Sequence, residues 1–299
     1  MSDQIPLSSD ASAVEPELDA ARRDHTHEVA PDLAYRRLGI VNVVFVGPAG
    51  AGDREWVLID AGLAGTAGLI RSAAEARFGE ASRPAAIVMT HGHFDHVGAL
   101  EQLAGEWDVP VYAHPLEHPY LNGSAAYPPA DPGVGGGLMA RLSRLYPTRP
   151  VDVGARLAAL PEDGSVPFLP GWRWIHTPGH SVGHVSLWRE EDRALIVGDA
   201  FCTTGQESAY DVAVQQPQMH GPPMYFTIDW DAAEASVRKL AALEPYLALT
   251  FHGQPMRGAE MRDALHRLAA GFRTVAVPEK GRYVDAPRRA SDGSAYETP

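Results

Sequence analysis

The chain predicts a layered α/β fold, with sheets covered by helices. Three features of the sequence lead there. Short runs of β-branched and apolar residues recur between breaks rich in Gly, Pro and Asp. Segments with apolar residues three and four apart stand between several of these runs. The runs also tend to stop at a histidine or an aspartate, often beside glycine.

Taken in order, residues 1–30 are polar, acidic and rich in Ala, Ser and Asp, and are expected to form a mobile or loosely docked arm. His25 and His27 within it are read as exposed and silent. Residues 38–46 and 56–59 read as strands, joined by the turn-rich stretch 47–54. Residues 66–78 have helical spacing in Leu69, Ile70 and Ala73. Strands follow at 85–90, 110–113, 172–176, 184–189 and 194–198, and a helical pattern starts at Val97. Helices are expected at 231–243 and 258–271, with the strand 246–250 between them. Two stretches, 115–150 and 203–230, are long for loops in a compact domain, and their Pro and aromatic content predicts ordered covers over a pocket. Residues 31–285 are expected to form one domain, and 286–299 a flexible tail.

Composition narrows the function classes. At 299 residues, 45% hydrophobic and 21% charged, the chain has the make-up of a globular protein with a sizeable core. Its 25 basic and 38 acidic residues leave a formal charge of −13, which argues against nucleic acid or an anionic membrane as partner. A small-molecule substrate is expected instead, and the apolar, Pro-rich excursions suit a homodimer. Cys202 is the only cysteine, so no disulfide can form within the chain and cysteine-rich zinc fingers are excluded. No apolar run reaches the ~18 residues of a membrane span. The N-terminus lacks the features of a signal peptide, so a cytoplasmic location is expected.

The chemistry concentrates in Thr90-His91-Gly92-His93-Phe94-Asp95-His96. Imidazole and carboxylate are ligands suited to zinc and its first-row neighbours. His91 and His93, two apart, can point together from an extended segment, while Asp95 and His96 turn into a helix start. The same setting recurs. His180 follows a strand in Thr177-Pro178-Gly179-His180, Asp199 ends the run 194–198, and His252 with Gly253 ends another.

With these motifs, and with Asp60 in Leu58-Ile59-Asp60-Ala61-Gly62, the chain resembles the metallo-β-lactamase superfamily, in its glyoxalase II and lactonase-like branch. The resemblance implies a four-layer αββα sandwich with metals at one edge. It implies a first metal on His91, His93 and His180, a second on Asp95, His96 and His252, and Asp199 shared between them. The cofactors implied are two divalent ions, zinc first, with iron or manganese as alternatives. The implied activity is a binuclear hydrolase in which a metal-bridging hydroxide attacks the carbonyl of a thioester, lactone or ester, with Asp95 orienting it or passing a proton. Asp60 and His184 are expected behind the ligands, and His114, Tyr210 and Tyr225 are candidates for the substrate pocket. Where lactonases often carry a Tyr after the bridging Asp, this chain has Phe201-Cys202-Thr203-Thr204. The alternatives are a sulfur dioxygenase of the same fold with one iron, a phosphodiesterase, and a non-catalytic metal-binding protein.

Overall fold

A computed structural model describes residues 5–14 and 25–299. Their contacts group into two compact units, where the sequence reading expects one domain over 31–285.

One unit comprises residues 14–126 and 149–174. Its seven-stranded sheet runs, edge to edge, His27–Ala30, Leu33–Leu38, Val41–Val46, Val57–Ile59, Ala86–Val88, Val111–Ala113 and Leu157–Ala159. The first four strands pair antiparallel and the last four parallel, so the sheet is mixed. The parallel half needs crossovers, and the helices Ala67–Phe78 and Leu100–Trp107 supply them. Ile70, Ala73, Ala74 and Phe78 form the buried stripe of the first helix, and Leu100, Leu103, Ala104 and Trp107 that of the second. Both stripes join Phe45, Leu58, Ile87 and Val111 in one core. Trp56 anchors it, stacked on Phe78 at 4.4 Å and edge-on to Trp107 at 5.9 Å, with its indole N–H donating to Ser82 Oγ at 2.9 Å.

The run expected as one strand over 38–46 is the end of one strand and the whole of the next. Gly39, at φ +69°, turns the chain between Leu38 and Val41, which lie opposite each other in register. Leu33–Leu38 escapes the sequence pattern because Arg36 and Arg37 interrupt its apolar alternation.

The other unit takes in residues 1–13, 127–148 and 175–298. Its five-stranded sheet has the order Met256–Arg257, Leu247–Thr250, Ala194–Gly198, Val185–Arg189 and Trp172–His176. Ala194–Gly198 and Leu247–Thr250 are parallel, and Val185–Arg189 is antiparallel to the former. The helices Trp230–Ala241 and Gly258–Ala270 lie close together; Asp229 caps the first by accepting from the Asp231 and Ala232 N–H groups.

Both termini depart from the expected arm and tail. Ile5–Pro6 pairs with Gln218–Met219, Ala13 donates to the Pro255 carbonyl, and Ile5, Leu7, Ala11 and Ala13 are buried. His27–Ala30 is the edge strand of the larger sheet. Residues 1–4 and 15–24 of the expected arm lie outside the described residues. At the other end, Arg288 N–H donates to the Ile228 carbonyl, Arg289 pairs with Asp229 and Ala295 is fully buried. The long excursions carry short elements of their own, among them the helices His118–Leu121, Leu138–Leu142 and Ala209–Val214. No helix among the described residues is long and apolar enough to cross a membrane.

Candidate metal centre

In the larger sheet's unit, Val57–Ile59 and Ala86–Val88 are neighbouring parallel strands, so the residues after them leave the sheet at the same end. Asp60 follows the first and Thr90 to His96 the second. This topology, rather than proximity in sequence, brings Asp60 to the histidine cluster. Asp60 is fully buried with φ +57°, a left-handed conformation that aspartate tolerates better than most side chains. Its carboxylate accepts from the Thr90 N–H at 2.7 Å and the Thr90 hydroxyl at 2.6 Å, and lies 2.7 Å from His96 Nδ1. Burial pushes the Asp60 carboxyl above the usual range, against the pull of His96 and Thr90.

These contacts assign the imidazole tautomers. The Thr90 hydroxyl has one proton and donates it to Asp60, so the 3.0 Å contact between Thr90 Oγ1 and His91 Nδ1 has the ring N–H as donor. His96 Nδ1 likewise donates to Asp60. In both rings Nε2 is then the nitrogen with the lone pair. One ligand atom from each of Asp60, His91 and His96 lies within 4.8 Å of the others. The rings of His91 and His93 meet edge-on at 4.7 Å. Asp95 lies in the first turn of the helix Phe94–Val97, 5% exposed, with Oδ1 3.9 Å from His96 Nε2. Glu117, buried and not singled out by sequence, accepts from the Gly92 N–H at 3.1 Å and braces the turn between His91 and His93.

In the second unit the parallel strands Ala194–Gly198 and Leu247–Thr250 deliver Asp199 and His252 to one sheet end. The antiparallel strand Val185–Arg189 begins at that same end, which brings His180 and His184 there. Asp199 Oδ2 is 3.1 Å from His252 Nε2 and 3.4 Å from His180 Nε2, with all three residues 2% exposed. The Thr227 hydroxyl donates to the Pro223 carbonyl at 2.8 Å, so the His180 Nδ1–H donates to Thr227 Oγ1 at 3.3 Å, and His180 Nε2 presents a lone pair toward Asp199. Two acceptors facing each other across 3.4 Å are a pairing that a cation stabilises. His184 differs. Its Nε2 accepts the Asp199 backbone N–H at 2.8 Å and its Nδ1 lies 2.9 Å from Thr177 Oγ1. Both ring nitrogens are engaged, so His184 holds the aspartate's backbone and is not itself a ligand.

The donor set fits divalent transition ions, as buried neutral imidazoles fixed from behind and buried carboxylates. The three pocket candidates are dispersed. His114 is half-buried, accepts from the Leu116 N–H at 3.2 Å and meets the Trp174 ring edge-on. Tyr210 is 71% exposed on the helix Ala209–Val214, and Tyr225 is buried in a ring cluster with Tyr146 and Phe226. The sequence also left unnoticed Thr90 and Thr227, whose hydroxyls set the tautomers. An adjacent Thr–His pair hints at the first, but nothing local hints at the second.

Comparison with known proteins agrees with this chemistry. A "probable metallo-hydrolase", YflN of Bacillus subtilis (strain 168), is 47% identical over 252 residues, covering 84% of this chain and 95% of that one. A β-lactamase domain protein from Burkholderia ambifaria superposes with a TM-score of 0.57 at 22% identity, covering 86% of this chain and 76% of that one. A metallo-β-lactamase family protein from Thermus thermophilus gives 0.55 at 21%, covering 82% and 81%. These two show the fold, the α/β metallo-β-lactamase fold with mixed sheets. The family profile itself matches residues 36–252, a span that takes in every one of the candidate ligands, and the chain belongs to the metallo-β-lactamase superfamily.

Proposed function

We propose that the chain is a binuclear metal-dependent hydrolase of a small thioester, lactone or ester, of the glyoxalase II and lactonase-like kind. In this reading the two ligand sets serve one pair of ions: His91, His93 and His180 hold the first, Asp95, His96 and His252 the second, and Asp199 both. The observation that supports it best is the fixing of His91, His96 and His180 from behind, by Thr90, Asp60 and Thr227, as neutral rings with Nε2 as acceptor. Chains that use histidine only as core filling have no need of that arrangement. When bound, two divalent ions lower the pKa of water to about 7 and offer positive charge to a carbonyl oxygen.

The residues of the chain do the rest. Asp60 keeps the imidazoles in one tautomer and one orientation. His184 holds the Asp199 backbone, so the shared carboxylate does not swing. Asp95, at the mouth of its helix, orients the attacking water or takes its proton.

Metal analysis of the purified protein tests this directly and is expected to give close to two transition-metal ions per chain. A single iron would point to a dioxygenase of the same fold instead. His180→Ala and Asp199→Ala are each expected to lower hydrolysis of the best member of a thioester, lactone and aryl-ester panel by more than ~100-fold while the fold persists. Hydrolysis that survives both substitutions would rule the metal mechanism out.

A further inference from the structure

Gln206, in the excursion that follows Asp199, is fully buried, and neither its amide oxygen nor its amide nitrogen has a hydrogen-bond partner in the protein. A buried primary amide with all its donors and acceptors unmet is unfavourable and rare, and calls for a partner from outside the fold.

The segment around it is not free to relieve this. On one side Thr203 is tied to the strand end that carries His252. Its N–H donates to the His252 carbonyl at 3.1 Å, and its hydroxyl donates to the Gln254 carbonyl at 2.6 Å. On the other side Glu207 accepts from the Met224 N–H at 2.8 Å through Oε1 and lies 3.1 Å from His220 Nε2 through Oε2. Gln206 is thus clamped between two anchors. Three residues from Thr203, its backbone lies within about 11 Å of that tie to His252, since a chain extends at most ~3.6 Å per residue. Gly205, Glu207 and Ser208 line a cavity of about 920 Å³ and Gln206 between them does not, which turns its amide away from that cavity. Its burial is no bar to a ligand role, because His180, Asp199 and His252 are buried to the same degree.

We propose that Gln206 is a substrate-contacting residue that selects acyl substrates bearing an amide beside the scissile carbonyl. This rests on the hydrolase reading above. A primary amide offers one donor and one acceptor side by side. The group that satisfies both at once is another amide, neutral and of the same pattern, and a hydrocarbon acyl chain would leave both unmet.

The test compares the 4-nitrophenyl esters of N-acetylglycine and of propionic acid on the metal-loaded wild type and on Gln206→Leu, alongside thermal unfolding of both. The wild type is expected to prefer the N-acetylglycyl ester at least tenfold in kcat/KM. Gln206→Leu is expected to bring that preference within twofold, leave the propionyl ester and metal content nearly unchanged, and hold or raise Tm, since it removes a strained polar group. Three results overturn the proposal: no preference in the wild type, a preference that survives in the variant, or a Tm drop of more than about 5 °C. A surviving preference would mean that ordered water serves the amide, and the Tm drop that the fold does. If the wild type cleaves neither ester, the hydrolase reading has failed separately. The deciding measurement is then the Tm rise given by millimolar N-acetylglycinamide, expected in the wild type and absent in the variant; equal responses overturn the proposal.

Discussion

Asp60 shows how much chemistry one buried side chain can direct. It receives the Thr90 N–H and hydroxyl and lies against His96 Nδ1, so it holds His96 directly and His91 through Thr90. Asp60→Asn keeps the size but replaces one acceptor oxygen with a donor, which sets donor against donor at Thr90 or His96. Substitutions behind a metal ligand typically cost about 10–100-fold in metal affinity. Asp60→Asn is expected to fall in that range, measured by competition with a chelator, while circular dichroism reports whether the fold survives. Thr227→Val makes the same point at His180. It removes the hydroxyl that receives the Nδ1–H and keeps the shape. The expected outcome is a loss of about tenfold in metal affinity with little change in Tm. Unchanged affinity in both variants would mean that the tautomers are set some other way.

Elements explain why these residues meet, and why only part of the arrangement is legible in sequence. Each candidate ligand stands just after or just before a strand, and an apolar run broken by His or Asp next to Gly can be read from a single chain. What cannot be read is which strand ends lie side by side. Asp60 meets His96 because Val57–Ile59 and Ala86–Val88 are parallel neighbours. Thr227 meets His180 across 47 residues of unrelated spacing. His220, with no evident partner in the sequence, is paired with Glu207 inside an excursion that has no periodicity to betray it. The helix expected to begin at Val97 is instead two pieces, Phe94–Val97 and Leu100–Trp107, because the chain must bend onto the Asp60 turn between them. There the Ala61 N–H donates to the His96 carbonyl at 2.7 Å and the Gly98 N–H to the Gly62 carbonyl at 2.7 Å. A Cβ on Gly98 would stand 2.1 Å from Ala64 N and 2.2 Å from the Leu63 carbonyl carbon, both backbone atoms that cannot turn aside. Gly98→Ala should therefore push the two segments apart, destabilise the protein by at least ~1–3 kcal/mol and lower metal content, because His96 moves with its helix. Denaturant titration and metal analysis read the two effects; a variant as stable and as fully loaded as the wild type would contradict the close approach.

For the whole molecule, buried charge is where pH acts on stability. The chain carries 13 more acidic than basic residues, and within that surplus Glu207 and His220 form a fully buried pair at 3.1 Å. Burial alone would raise the Glu207 carboxyl, but the charge and hydrogen bond of His220, with the Met224 N–H, together hold it below its usual value. Burial likewise works to lower His220, and Glu207, the Gly221 carbonyl and the charge of Asp211 outweigh it and raise it. The signs then follow by linkage. The His220 contribution is fully present below its ordinary value of about 6.5 and is lost as pH rises through the raised value. The Glu207 contribution is present above about 4.3 and is lost as pH falls through the lowered one. Between those limits the pair stabilises the fold most. Glu207→Gln leaves the imidazole buried without its counter-charge and is expected to cost about 3–5 kcal/mol there, as for other buried pairs broken at one partner. Above the raised His220 value the wild type has lost the same interaction, so the gap between wild type and variant should narrow as the solution becomes alkaline. Urea titrations of both proteins at a series of pH values measure that gap, and the metal ligands, common to both, cancel in it. A gap that stays constant from acid to alkaline solution would show that Glu207 and His220 do not face each other as an ion pair.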